Sequence, residues 1–232
     1  MVMKKQPQFG VVTRIGYWSA LIAFIGGAGY DIAQVAQLLG ILAPPWDGIL
    51  IYGFSLLIAA PFMVALTALH YCTPHERRLW SHIALLMSVV YVIYVTLNYV
   101  VQLAIVIPRL GTEVSLAVLD QTPHSLFWTL DALGYIFLGA ATLFAVPIFK
   151  GIESRKWVRR FFIANALVTP VIALVYFYPT FSIPLLLLGS PWMITAPGSF
   201  LMLALMFRGD GHTPQQHASR RRRPSENGLP TR

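Results

Sequence analysis

The chain has 232 residues, 56% of them hydrophobic and only 11% charged, with a mean hydropathy of +0.65. Soluble domains carry about 25% charged residues, so this composition excludes an ordinary water-soluble domain and predicts a polytopic membrane protein. The net charge of +8 does not signify nucleic-acid binding, because the basic residues sit in short loops and termini with no aromatic or folded module beside them.

Residues 1–14 are polar and basic, and the sequence predicts a cytoplasmic N-terminal segment there. An apolar segment from about Ile15 to Leu39 follows, interrupted by Asp31, Gln34 and Gln37. It is too long for a signal peptide, and its polar residues come too late, so it is expected to be a retained first helix. Ala43-Pro-Pro-Trp-Asp-Gly ends it, since paired prolines cannot continue a helix. A second span runs from about Gly48 to His70, with Pro61 inside and a kink expected there. Thr73-Pro-His-Glu76 has the pattern of an N-cap with a glutamate three residues on, and opens a long third span from about Ser81 to Ile107. A span of that length is expected to tilt.

Pro108 to Pro123 is a loop, and the fourth span follows from about Ser125 to Phe149. A basic loop, Lys150 to Arg160, leads to a fifth span ending near Tyr178. The sixth, about Ile183 to Phe207, contains Pro191 and Pro197 and is expected to be broken or kinked. From residue 208 the composition turns to His, Gln, Ser, Arg and Pro, which predicts a disordered basic cytoplasmic tail over 208–232. The predicted fold is therefore all-α, a bundle of six transmembrane helices over residues 15–207. With six spans both termini share one side, and 16 of the 17 Lys and Arg residues fall on it, only Arg109 lying opposite. The positive-inside rule then places both termini in the cytoplasm, in what is expected to be a bacterial cytoplasmic membrane.

The fourth span carries an aspartate, Asp131, within its apolar length. His124, Trp128, Asp131 and Tyr135 recur at i, i+4, i+7 and i+11 and are expected to share one helical face. An ionisable group in a spanning helix costs a few kcal/mol or more unless it faces protein or a water-filled cavity, so the other helices are expected to receive that face. At about 1.5 Å per residue, polar groups from several helices reach a similar level in the outer half of the membrane. These are Asp31, Gln34 and Gln37 on the first, Tyr94, Asn98 and Gln102 on the third, and Trp192 on the sixth.

Such a gathering predicts a polar-aromatic pocket, open outward or sideways into the outer leaflet, for a small apolar or lipid-like ligand. In its sharper form the pocket is an intramembrane isomerase or cyclase, with Asp131 as acid and Asp31 as base or charge partner. Gln34, Asn98 and Gln102 would orient the two acids, and Tyr94, Trp128, Tyr135, His124 and Trp192 would line the ligand. Two other classes use the same residues. A proton-coupled transporter would employ the aspartates for ion coupling, although no inverted three-plus-three repeat is visible. A non-catalytic subunit would turn the polar face toward a membrane-protein partner. Interhelical Asp–Asn–Gln hydrogen bonds also simply hold membrane bundles together, at about 0.5–2 kcal/mol each.

No cofactor or metal is expected. Cys72 is the single cysteine, which excludes an intramolecular disulfide and a Cys-based metal cluster. His70, Cys72, His75, Glu76 and His82 cluster near one end of the second and third spans but lack the i, i+4 pairing of a helical metal site. His70 and His124 lie toward opposite surfaces, which disfavours haem, and no lysine lies within a span to form a Schiff base. Arg220 to Arg223 are expected either to dock on anionic lipid, at about 1 kcal/mol per residue, or to stay solvated and enforce orientation.

Overall fold

A computed structural model of the chain describes residues 7–110 and 118–220, with side chains described over 9–110 and 118–210. It is all-helical: α1 (Pro7–Leu38), α2 (Trp46–Tyr71), α3 (Arg78–Val101), α4 (Leu126–Ala145), α5 (Lys156–Phe177), the short α6 (Ile183–Leu187) and α7 (Trp192–Arg220). Six stretches are long and apolar enough to cross a membrane, the sixth formed by α6 and α7 together. The expected break in that span is a turn at Gly189–Pro191, where the chain leaves α6 before α7 begins. Pro61 lies inside α2, which is one helix from Trp46 to Tyr71.

The six long helices form a closed ring. α1 packs on α2 and α7, α3 on α2 and α4, and α5 on α4 and α7. Sequential helices are neighbours, which makes the ring up-and-down, as in simple helix bundles. The outward faces carry exposed apolar side chains such as Trp18, Ile25, Ile93, Leu97, Leu167 and Leu174. A soluble monomer does not expose so much contiguous apolar surface, whereas a bilayer would cover it.

Inside the ring the two halves differ. The half nearer the basic turns, between α2 and α3 and between α4 and α5, is filled by Phe62, Phe149, Phe162, Phe200 and Phe207 with Leu66, Leu69 and Leu203, all fully buried. At the same end Arg155 pairs with Asp210 at 2.7 Å, and Arg77 donates to the Ile148 carbonyl at 2.7 Å. Close approach of the helices depends on small residues in α1. A Cβ at Gly26 would lie 2.9 Å from the Phe54 carbonyl oxygen and 3.0 Å from the Ile58 nitrogen, so α2's backbone rests directly on that glycine. On the other flank Gly27 faces Pro197 of α7, with a Cβ there meeting its ring at 3.1 Å. Small residues are how membrane helices gain van der Waals contact where lipid offers no hydrophobic drive.

The termini differ from expectation. α1 already begins at Pro7, so Arg14 lies within the helix. α7 continues to Arg220, so residues 208–220 are helical where an unstructured tail was expected. An established helix extends by one hydrogen bond per residue without a new nucleation cost, which lets polar residues prolong an apolar span. Arg221–Arg223 of the expected lipid-docking run lie outside the described residues, as does the rest of the tail.

Candidate functional site

The other half of the ring, toward the α1–α2, α3–α4 and α5–α6 connections, holds a cavity of about 400 Å³. Its lining draws on every helix of the ring, with Tyr30, Gln34, Tyr52, Tyr99, Trp128, Asp131, Tyr135, Tyr176 and Trp192 among the contributors. Pockets of this size accommodate small organic ligands.

Asp131 is 3% exposed and sits near the start of α4. Its height is set by the helix start, where the Ser125 side chain accepts the Trp128 backbone N–H at 3.1 Å as an N-cap. Both carboxyl oxygens are engaged. Tyr99 donates its hydroxyl to Oδ1 at 2.6 Å, and Tyr176 donates to Oδ2 at 2.6 Å. Asn98 Nδ2 approaches Oδ1 at 3.5 Å, at the limit for a hydrogen bond. Two short phenolic hydrogen bonds and an amide thus converge from α3 and α5 on one carboxyl of α4. That arrangement suits an acceptor, because hydrogen bonds to an ionised carboxylate are among the stronger ones proteins make.

Around this centre the aromatic rings form a continuous wall. Tyr30 and Tyr135 share a hydroxyl hydrogen bond at 3.1 Å. Trp192 stands nearly perpendicular to both, with centroids at 5.5 and 4.8 Å. Tyr135 continues to Tyr176 at 5.7 Å, and Tyr176 to Trp128 at 4.4 Å. Trp128 is further fixed by its indole N–H, which donates to the Tyr176 carbonyl at 3.0 Å. At the mouth a relay of amides runs from Gln34 to Gln37 and on to Asp47, each step 2.9 Å. A second void of about 10 Å³, lined by Ser55, Tyr91, Tyr99, Asp131, Tyr135 and Trp192, is at the lower limit for one water molecule. The Trp192 indole nitrogen is buried without a hydrogen-bond partner, as is the Asn98 carbonyl oxygen.

The structure brings together Asp131, Gln34, Trp128, Tyr135 and Trp192 on the cavity wall, with Asn98 against Asp131. It does not bring the remaining four there. Asp31 is partly buried, one oxygen lacking a hydrogen-bond partner, and is absent from the lining; its neighbour Tyr30 takes that position. Tyr94 packs flat on Phe137 at 5.8 Å, outside the cavity. Gln102 is buried and donates to the Leu119 carbonyl at 2.6 Å, securing the α3–α4 connection from a π-helical turn at Gln102–Val106. His124 is exposed, with a left-handed backbone (φ +67°), and precedes the N-cap, so it never joins the helical face of Trp128 and Asp131.

Tyr30, Tyr99 and Tyr176 line the cavity and are not singled out by the sequence reading. For Tyr176 a signal existed: Asn165, Thr169, Ile172 and Tyr176 repeat the i, i+4, i+7, i+11 spacing of the Asp131 face. Away from the site, His70 Nδ1 lies 2.8 Å from the Ser81 hydroxyl, and no group of three or more metal-ligating side chains occurs among the described residues. No protein-family model, curated protein or solved structure matches the chain.

Proposed function

We propose that the chain is an integral membrane protein, with both termini cytoplasmic in a bacterial cytoplasmic membrane, that binds a small, largely apolar ligand in the aromatic cavity with Asp131 as its polar anchor. The observation that carries this reading is the carboxyl itself. It is buried at a cavity wall and held by Tyr99 and Tyr176 from two other helices. A buried carboxyl is costly to maintain, and a group built purely for packing has no reason to border a 400 Å³ cavity. The phenols hold the carboxyl rigid at the cavity wall. The aromatic wall supplies apolar contact area, and the unpartnered Trp192 indole N–H supplies a donor.

Binding is advanced rather than acid–base isomerisation because Asp31, the second acid that chemistry would use, does not line the cavity. Transport is not advanced because the phenylalanine-filled half of the ring lies across the path from the cavity to the opposite end. The test is mass spectrometry of organic extracts from the purified protein and from Asp131→Asn, with size-exclusion profiles confirming that both remain folded. A defined small molecule retained by the wild type and depleted in the variant is expected. Bulk phospholipid alone, identical in both samples, would overturn the reading.

A further inference from the structure

We propose that the ligand is an organic cation, a protonated amine or quaternary ammonium carrying an apolar body; this rests on the binding reading given above. Three observations point to it. First, Asp131 is the one formally charged side chain among the described cavity-lining residues, which include no Lys, Arg or His. Two ion pairs, Arg155–Asp210 and Lys156–Glu153, lie at the opposite end of the bundle. A carboxylate satisfied by two phenols and no cation is completed by a positive charge delivered by the ligand, which would offset its burial.

Second, the wall around it is a set of π faces at several orientations. Trp192 stands at 82° to Tyr30 and 83° to Tyr135, and all three rings line the cavity. Cations are attracted to the faces of Trp and Tyr within about 6 Å, and the attraction grows when water is excluded. Three phenolic hydrogens of the wall are committed: Tyr99 and Tyr176 donate to Asp131, and one of Tyr30 and Tyr135 donates to the other.

Third, charge is distributed to favour a cation at the mouth. Among the described residues, Asp31, Asp47, Asp120 and Asp131 lie in the cavity half of the ring, against one Lys or Arg, Arg109. Asp47 borders the mouth, where it accepts from the cavity-lining Gln37 at 2.9 Å. A cleft bordered by one sign of charge concentrates ligands of the other.

The experiment compares two probes of the same shape on the full-length protein in detergent: benzyltrimethylammonium and its uncharged carbon isostere, neopentylbenzene. Binding is followed by tryptophan fluorescence, since Trp128 and Trp192 line the cavity, and by thermal unfolding. The cation is expected to bind at least tenfold more tightly, and Asp131→Asn to reduce that ratio to near one while neopentylbenzene binding persists. The wild-type comparison stands without the variant, should the variant fail to fold. Equal binding of both probes to the wild type would overturn the cation assignment and leave the binding reading intact. Binding of neither would overturn both.

Discussion

The hydroxyls of Tyr30 and Tyr135 meet at 3.1 Å although 105 residues separate them, and they join α1 to α4 across the interior of the ring. Every helix of the ring packs on two neighbours, but α1 and α4 are not neighbours. This hydrogen bond is therefore a cross-brace over the cavity rather than part of a helix–helix seam. Each phenol also belongs to the aromatic wall.

The brace is measurable by a double-mutant cycle. Tyr30→Phe and Tyr135→Phe keep the rings and remove the hydroxyls, and each is expected to lower stability by about 1 kcal/mol. The double variant should cost less than the sum of the two, by a coupling of about 0.5–1.5 kcal/mol, because both singles break one bond. Strict additivity in reversible unfolding in mixed micelles would show that the hydroxyls act independently.

The α1–α2 contact makes a second prediction. Gly26→Ala places a methyl group 2.9–3.0 Å from backbone atoms of α2, which cannot step aside as a flexible side chain would. The expected cost is about 1–3 kcal/mol, typical of overpacking. Gly53→Ala serves as the control, since its Cβ would meet nothing within 4 Å. That variant should be neutral or more stable by up to about 1 kcal/mol, from helix propensity alone. Equal melting temperatures for the two variants would refute the close approach.

Cys72, in the turn between α2 and α3, offers a reactivity test at the opposite end of the molecule. Desolvation by burial pushes its thiol up to about 11, the nearby Asp210 charge adding to the shift and Arg155 opposing it. The thiolate is the reacting species, so maleimide labelling at pH 7 should be about 100-fold slower than for an ordinary thiol. The rate should climb about tenfold per pH unit until the thiol titrates. In SDS the same residue should label at the normal rate; a native rate matching it at pH 7 would show the thiol to be unperturbed.

Much of this architecture was legible in the sequence because the bilayer constrains it so strongly. Apolar length alone located six spans, and Ser125 stood at the predicted start of the fourth. The face carrying Trp128, Asp131 and Tyr135 followed from helical spacing, and those three do line one cavity. The limits are equally physical. Successive residues of a helix point about 100° apart, so an estimate of depth that singles out Asp31 misses that Tyr30 faces inward. On α3 the buried surface includes Tyr91, Val95, Asn98 and Tyr99, so Asn98 lies on it as expected while Tyr94 turns aside to Phe137. Extrapolating the α4 pattern backward to His124 ignored the cap, where the backbone leaves helical geometry. The two phenols on Asp131 come from α3 and α5, and which helices adjoin is a property of the assembled ring that no single segment encodes.

The phenylalanine-filled half of the ring has a kinetic corollary. A chamber filled at its base exchanges its contents through the other half of the ring. Narrowing that route slows arrival and departure by the same factor and leaves the equilibrium untouched. An antibody fragment clamped over that end would therefore slow the escape of an occupant already inside without competing with it.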